Sequence, residues 1–363
     1  KTGRLTGKIC RASDRSTPIS EATISVIREN KTTSFTPDAN GNYAITLPEG
    51  EYLVKITAPG YIDFKAYATV TQNENTYMET FLLVEGSEDE VGMATGTINN
   101  ALTGKGIEGV TLEVRSGWNN SEKGDIVANI TTDSSGNYNV TLPLGNYTLY
   151  AVKDGYISTM INIIVQEGMT SSQNGTMTPT ISSDSFRIVL TWGENPSDLD
   201  SHVEGMLSDG NPFHVFYNYK SQYDGDVEVC NLDVDDISSY GPETITLNST
   251  NENPYYYYIH RYYGFGTVAS SGAQVKVYQG GNLLATFNVP TDQGNDDYWN
   301  VFAIVNGELV VQNTITFDRD ISYAGTGTSE QSSNFTEESI PKEKVKDVGQ
   351  LDNSFVDKTG ETE

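Results

Sequence analysis

The sequence is poor in cysteine and in basic residues, and it lacks any long apolar run. Only two cysteines, Cys10 and Cys230, occur in 363 residues, so a disulfide framework is excluded and both are expected to be small buried side chains. Lysine and arginine total 22 against 49 aspartates and glutamates, which gives a net charge of −27. Nucleic acids and anionic membrane surfaces are polyanions, so neither is expected as a partner. Without an apolar run of membrane-spanning length, no membrane insertion is expected within this chain.

The first half of the chain contains one pattern twice. The first copy has DANGNY at 38–43, LPEGEY at 47–52 and GYI at 60–62, and the second has DSSGNY at 133–138, LPLGNY at 142–147 and GYI at 155–157. The second copy carries extra residues around Trp118, which are most simply a longer hairpin loop.

Each copy has the features of a small β-sandwich. Its β-branched and aromatic runs, such as residues 23–26 and 52–56, alternate with period two, and Asn-Gly and Ser-Gly-Asn supply turns that need positive φ. No helical period is present. We therefore predict an all-β chain in which residues 1–86 and 94–180 form two independent antiparallel sandwiches.

The combined pattern of the two copies resembles carboxypeptidase regulatory-like domains, which are transthyretin-like sandwiches. The resemblance runs along nearly the whole of both copies. It implies structural or accessory modules without catalysis, and no metallocarboxypeptidase catalytic domain accompanies them.

The third segment, residues 186–322, also consists of strand signals and is predicted to be a third antiparallel sandwich. Its order of motifs, LTW at 190–192, DLDSHV at 198–203 and LDVDD at 232–236, is similar to the YfaP-like domain of bacterial envelope proteins. That resemblance implies a location and an architecture more than an activity. Residues 325–363 are polar and charged with few aromatics, and a disordered acidic tail or linker is predicted there.

Acidic and imidazole side chains are concentrated in the third segment. On an extended strand Asp198, Asp200 and His202 share a face, and a second acidic cluster contains Asp233 and Asp235. Carboxylates brought together repel unless a cation lies between them, so Ca²⁺ bound by the four aspartates is one hypothesis. A transition metal held by His202, His214 and Asp200 is a second. Aspartates that cap turns on a solvated strand edge are the third, and all three stay open.

Aromatic residues of the third segment suggest a surface for ligands. One hypothesis is a platform on which sugar rings stack, formed by Tyr256, Tyr258, Tyr262 and Trp299. The alternative is that they form a core and a cross-strand ladder.

No convergent catalytic set stands out, and an acid pair of Glu243 with Asp233 has no cleft to support it. The sequence therefore predicts a non-enzymatic part of a bacterial cell-surface or secreted protein, an adhesin or scaffold that binds an extracellular glycan or protein. An accessory carbohydrate-binding region of a secreted glycan- or peptide-degrading enzyme is the alternative.

Overall fold

The computed structural model describes residues 1–87 and 89–322. Within these residues the secondary structure is entirely β, with no helix, so the predicted all-β class is confirmed for the described part of the chain. The described residues separate into two compact units, one made of Lys1–Asn100 with Lys105–Pro179 and the other of Ala101–Gly104 with residues 180–322. The predicted tail at 325–363 lies outside the described residues.

The first repeat is built from two sheets. Its strands are β1 (Thr2–Arg11), β2 (Asp14–Pro18), β3 (Thr23–Arg28), β4 (Lys31–Phe35), β5 (Asn42–Pro48), β6 (Gly50–Thr57), β7 (Phe64–Val70), β8 (Asn75–Tyr77) and β9 (Phe81–Leu83). One sheet has the order β2-β1-β5, with β8 and β9 added to β1 in parallel, and the other has the order β4-β3-β6-β7.

The second repeat has the same topology except that it lacks a counterpart of β2. Its strands are β10 (Val91–Asn100), β11 (Thr111–Ser116), β12 (Ala128–Thr131), β13 (Asn137–Pro143), β14 (Gly145–Val152), β15 (Thr159–Val165), β16 (Gly168–Thr170) and β17 (Gly175–Met177). The sheets run β13-β10-β16, with β17 also beside β10, and β12-β11-β14-β15. The predicted long hairpin loop lies between β11 and β12.

The two repeats keep separate sheets, but they are in contact and share one hydrophobic core. Trp118, in the loop between β11 and β12, is 2 % exposed and packs edge-on against Phe64 of β7 with ring centroids 5.0 Å apart. Its backbone N–H donates to the carbonyl of Lys65 at 2.8 Å, and its own carbonyl accepts from Tyr67 N–H at 3.0 Å. The sheets stay separate, but a side chain of the second repeat completes a hydrophobic core that contains both repeats.

Two further residues of the second repeat bind the first through polar groups. Asn146 Nδ2 donates to the carbonyl of Lys65 at 2.5 Å, and Asn162 Nδ2 donates to Glu79 at 2.9 Å. The joint between the repeats therefore includes these two strand residues as well as Trp118 from the extra loop of the second copy.

The third segment forms two larger sheets. Its strands are β18 (Phe186–Thr191), β19 (Asp198–Met206), β20 (Pro212–Val215), β21 (Ser221–Asp224), β22 (Val227–Val234), β23 (Glu243–Leu247), β24 (Tyr255–Tyr263), β25 (Gln274–Gln279), β26 (Asn282–Asn288), β27 (Tyr298–Val305) and β28 (Glu308–Thr316). The orders are β21-β22-β23-β18-β25-β26 and β20-β19-β24-β27-β28. Leu199, Val203 and Ile259 of the second sheet share one core with Ile188 and Val275 of the first.

Both faces of the five-stranded sheet are covered along its three central strands, β19, β24 and β27. Every residue from Asp198 to Gly205 is buried, although a sandwich strand normally buries only alternate residues. On the outer face Tyr256 and Tyr258 form a small second cluster with Ile321, which follows β28. The segment after β28 therefore helps to hide from solvent the polar side chains that β19 carries.

Candidate functional site

A row of ionisable side chains lies on the outer face of β19. Asp198, Asp200, His202 and Glu204 alternate along the strand and are only 4 %, 0 %, 2 % and 0 % exposed. The antiparallel register with β24 places His260 opposite Asp200 and tyrosines opposite His202 and Glu204. Because directly paired residues share a sheet face, the register itself brings these groups together.

The first cluster on this face is made of Asp200, His202 and His260. One ligand atom from each lies within 4.8 Å of the other two, and all three residues are buried. The imidazole of His202 stacks on Tyr258 at 4.8 Å, and that of His260 stacks on Tyr298 at 4.5 Å. Two imidazoles and a carboxylate held by neighbouring strands are a donor set suited to a transition metal.

A second cluster shares Asp200 with the first. Asp200, Asp235 and Glu243 each place a carboxylate oxygen within 4.8 Å of the others. Glu243 Oε1 accepts the backbone N–H of Ser201 at 2.7 Å, at a position of β19 that β20 does not reach. Lys220 Nζ lies 3.0 Å from Asp235 Oδ2, so the acid group has a basic neighbour that the sequence analysis did not predict.

Glu204 occupies the other end of the row and is held by Arg319. Arg319 Nε lies 2.5 Å from Glu204 Oε1, and Tyr258 donates its hydroxyl to the same oxygen at 2.5 Å. Burial raises the pKa of Glu204, while the charge of Arg319 and the hydrogen bond from Tyr258 oppose that rise. Burial alone would lower the pKa of Arg319, but the charge of Glu204 raises it overall.

His214 lies between the Asp200–His202–His260 cluster and the Glu204 ion pair. Its Nε2 lies 2.8 Å from His202 Nδ1 and 3.3 Å from the Tyr258 hydroxyl. The register pairs His214 with Glu204, so the rings of His214 and His202 meet diagonally. His214 is not in either metal-donor cluster of the described residues.

The four aspartates of the calcium hypothesis do not all belong to one donor cluster of the described residues, and calcium binding itself stays a prediction. Of them, only Asp200 and Asp235 share a cluster in the described residues. A register shift between Leu232 and Val234 interrupts the alternation of β22, and Asp233 there accepts hydrogen bonds from Thr246 and Asn231. Same-face reasoning fails for Asp233 because a bulge changes which face a side chain takes.

The interpretation of four aromatic residues as an exposed platform is wrong, because all four are buried. Tyr256, Tyr258, Tyr262 and Trp299 are 2 %, 1 %, 5 % and 0 % exposed. Trp299 belongs to the main core and donates its indole N–H to Asn313 Oδ1 at 2.7 Å. These rings stabilise the sandwich and offer no face to a sugar.

Sequence reasoning missed His260 and gave Glu243 a different role. Both lie far along the chain from DLDSHV, so spacing alone does not connect them with it. The signal was the tyrosine-rich strand itself: its alternation places His260 on the same face as Tyr256 and Tyr258, and pairing with β19 brings that face to Asp200.

Comparison with known proteins agrees with the resemblance of the two repeats. The family model of the carboxypeptidase regulatory-like domain matches residues 4–83 and again residues 94–178. Carboxypeptidase D of Rattus norvegicus is 35% identical over 102 residues, which cover 27% of this chain and 7% of that protein. The chain therefore corresponds to a small part of that relative. The similarity of residues 186–322 to YfaP-like domains stays a prediction.

Comparison with solved structures gives only weak likenesses. The Bacillus anthracis TIE protein is 15% identical at a TM-score of 0.22, covering 70% of this chain and 44% of that one. The minor pilin GBS52 of Streptococcus agalactiae is 16% identical at 0.22, covering 50% and 97%. A streptococcal ancillary pilin is 12% identical at 0.20, covering 81% and 96%. At such TM-scores none of these likenesses carries an argument about function.

No helix of the described residues is both long and apolar enough to cross a membrane.

Proposed function

We propose that this chain is a non-catalytic part of a secreted or cell-surface protein, in which two joined repeats act as a spacer and the third segment as a binding or display domain. The observation that supports this most is the tandem match to regulatory-like domains, together with the Trp118 joint between them. A hydrophobic joint reduces bending between neighbouring modules, which suits a spacer.

Burial supports the absence of catalysis. The acids and imidazoles that could act as general acid or base, Asp200, His202, Glu204, Glu243 and His260, are all at most 2 % exposed. A general acid or base must come within hydrogen-bond reach of a substrate atom, and a fully covered group cannot do so. The burial of the predicted aromatic platform likewise removes the feature that favoured an accessory sugar-binding role.

The net charge of −27 and the scarcity of thiols are in keeping with an extracellular location. The partner in this proposal is an extracellular glycan or protein. Binding of the chain to nucleic acid or to an anionic lipid surface is disfavoured by the negative charge of the chain. Direct detection of the chain on intact producing cells by added protease tests the location.

The experiment on function presents the full chain to arrays of glycans and of extracellular matrix proteins, and in parallel to peptide and glycoside substrates. We expect saturable binding to one class of ligand and no turnover. Turnover that disappears in Asp200→Asn would contradict the proposal, and so would the absence of binding on both arrays.

A further inference from the structure

We infer that Asp200, His202 and His260 form a buried transition-metal site, with Zn²⁺ as the ion that best suits it. This site neither depends on the proposed binding or display function nor restates the four-aspartate calcium hypothesis. It uses His260, which lies 58 positions beyond His202 in the chain and reaches it only through strand pairing.

The backbone fixes the three donors in place. Asp200 and His202 are two residues apart on β19, and His260 is the register partner of Asp200 on β24. Tetrahedral zinc with Zn–N bonds of about 2.0–2.1 Å places neighbouring ligand atoms about 3.4 Å apart. The observed ligand atoms all lie within 4.8 Å of one another, which is close enough for one ion to be shared by the three residues.

The chemistry of the donors selects the kind of ion. Calcium takes six to eight oxygen ligands, and this cluster supplies two nitrogens and one carboxylate. Imidazole with carboxylate suits zinc and its transition-metal neighbours. The carboxylates of Asp235 and Glu243, which cluster with Asp200, can supply a fourth ligand or support the first three.

The surroundings orient the imidazoles as metal ligands require. His202 Nδ1 lies 2.8 Å from His214 Nε2, so Nε2 of His202 is the nitrogen that a metal would take. Flat aromatic contacts hold each ring: His202 lies against Tyr258 and Phe216, and His260 against Tyr298. Hydrogen bonds and packing of this kind fix the ring orientation and the tautomer of ligating histidines.

Charge balance points the same way. Asp200 and Glu243 are wholly buried, and burying a carboxylate is costly unless a positive charge accompanies it. Lys220 lies 3.0 Å from Asp235, a member of the acid group, and Arg319 pairs with Glu204. A divalent cation at the Asp200 cluster supplies positive charge where these acids meet.

The test uses the full chain, unfolded and refolded either with a chelator or with Zn²⁺, because a site this deeply covered fills most readily during folding. Metal content is measured after gel filtration, and Co²⁺ refolding reports coordination through its visible absorption. We expect one equivalent of metal, a higher melting temperature than in the chelated protein, and loss of both in His260→Gln. Asp233→Asn, which changes an acid outside the cluster, should keep both.

If His260→Gln fails to fold, the wild-type protein alone can still show whether the site binds metal. The chain has only three histidines, so ring ¹⁵N resonances can be assigned individually. Zinc should shift one ring nitrogen of His202 and one of His260 to metal-bound values. Unchanged resonances, less than stoichiometric metal after refolding, or full metal retention in His260→Gln would each overturn the inference.

Discussion

Arg319 and Glu204 form an ion pair across 115 positions of the chain, with Nε and Oε1 2.5 Å apart. Their side chains are 6 % and 0 % exposed, so solvent does not screen the contact. The pair fastens the segment after β28 over the outer face of the five-stranded sheet, beside Ile321. That face is polar, and this segment is one reason why it is nevertheless buried.

Removal of one partner should therefore strongly destabilise the folded state. We expect Arg319→Met to destabilise the third segment by about 3–5 kcal/mol, because Glu204 is left as a buried charge without its cation. Since burial raises the pKa of Glu204, protonation relieves the variant in acid, and the loss should shrink as the pH is lowered. Hydrogen exchange of the amides in Asp198–Met206 measures the change locally.

The matched control is the double variant Glu204→Gln with Arg319→Met. It removes both charges, so it should recover most of the stability lost in the single variant. A loss below about 1 kcal/mol in Arg319→Met, typical of a surface pair, would show that the ion pair does not hold the segment.

The pH dependence of Asp233 separates a buried acid from a calcium ligand. Burial raises its pKa above the ordinary value, while hydrogen bonds from Thr246 and Asn231 and the charge of Arg187 oppose the rise. The folded state then holds the proton more tightly than the unfolded state. The stabilisation is fully present below the unfolded pKa, about 3.9, and is lost as pH rises through the folded pKa.

Asp233→Asn should accordingly flatten the fall of stability with rising pH in that acidic range, as measured by urea midpoints across a pH series. A calcium ligand would behave in the opposite way, because the metal binds the ionised carboxylate and stability would rise with pH. Identical slopes in the wild type and the variant would show that Asp233 does not titrate in this manner.

How far the sequence predicts the structure depends on the range of the interactions involved. The repeat turns are local: in both copies an aspartate, Asp38 or Asp133, accepts N–H groups two and four residues later, and a glycine takes positive φ. Such turns can be read from neighbouring residues. The strand alternation of the repeats is local in the same sense.

The site could be predicted only in part, because it depends on distant pairing. Alternation correctly places Asp200 and His202 on one face, but it cannot reveal that Arg319 and Ile321 return to cover that face. Nor does it show the bulge that removes Asp233 from the cluster. Alternation therefore leaves the tyrosines open between an exposed platform and a core, whereas the covering segment makes Tyr256 and Tyr258 part of a second core.

The two thiols should be unreactive in the folded protein. Cys10 and Cys230 are each 0 % exposed, and burial raises the pKa of both, that of Cys230 well above its ordinary value. Because the thiolate is the reactive form, an aromatic disulfide reagent should label neither thiol until the surrounding sandwich opens. Two equivalents should react in denaturant. Cys230→Ser separates the two rates, and labelling of native protein at the rate of a free thiol would contradict the prediction.

Trp118 should determine whether the two repeats unfold together. It buries its ring between the repeats, and its Nε1 donates to the carbonyl of Ile163 at 2.9 Å. We expect Trp118→Ala to destabilise the pair by about 3–5 kcal/mol, as for other buried aromatic truncations. Trp118→Phe should lose less, because it retains part of the ring contact with Phe64 while giving up the hydrogen bond.

Calorimetry of the full chain checks this through the transition of the repeats. In the wild type we expect the shared core to couple both repeats into one transition, and Trp118→Ala should lower that transition or divide it in two. Val127→Ala is a control from the same loop, since Val127 is 48 % exposed and truncation there should change stability by no more than about 0.5 kcal/mol. If Trp118→Ala unfolds at the wild-type temperature as a single transition, the repeats are joined by their polar contacts and not by this ring.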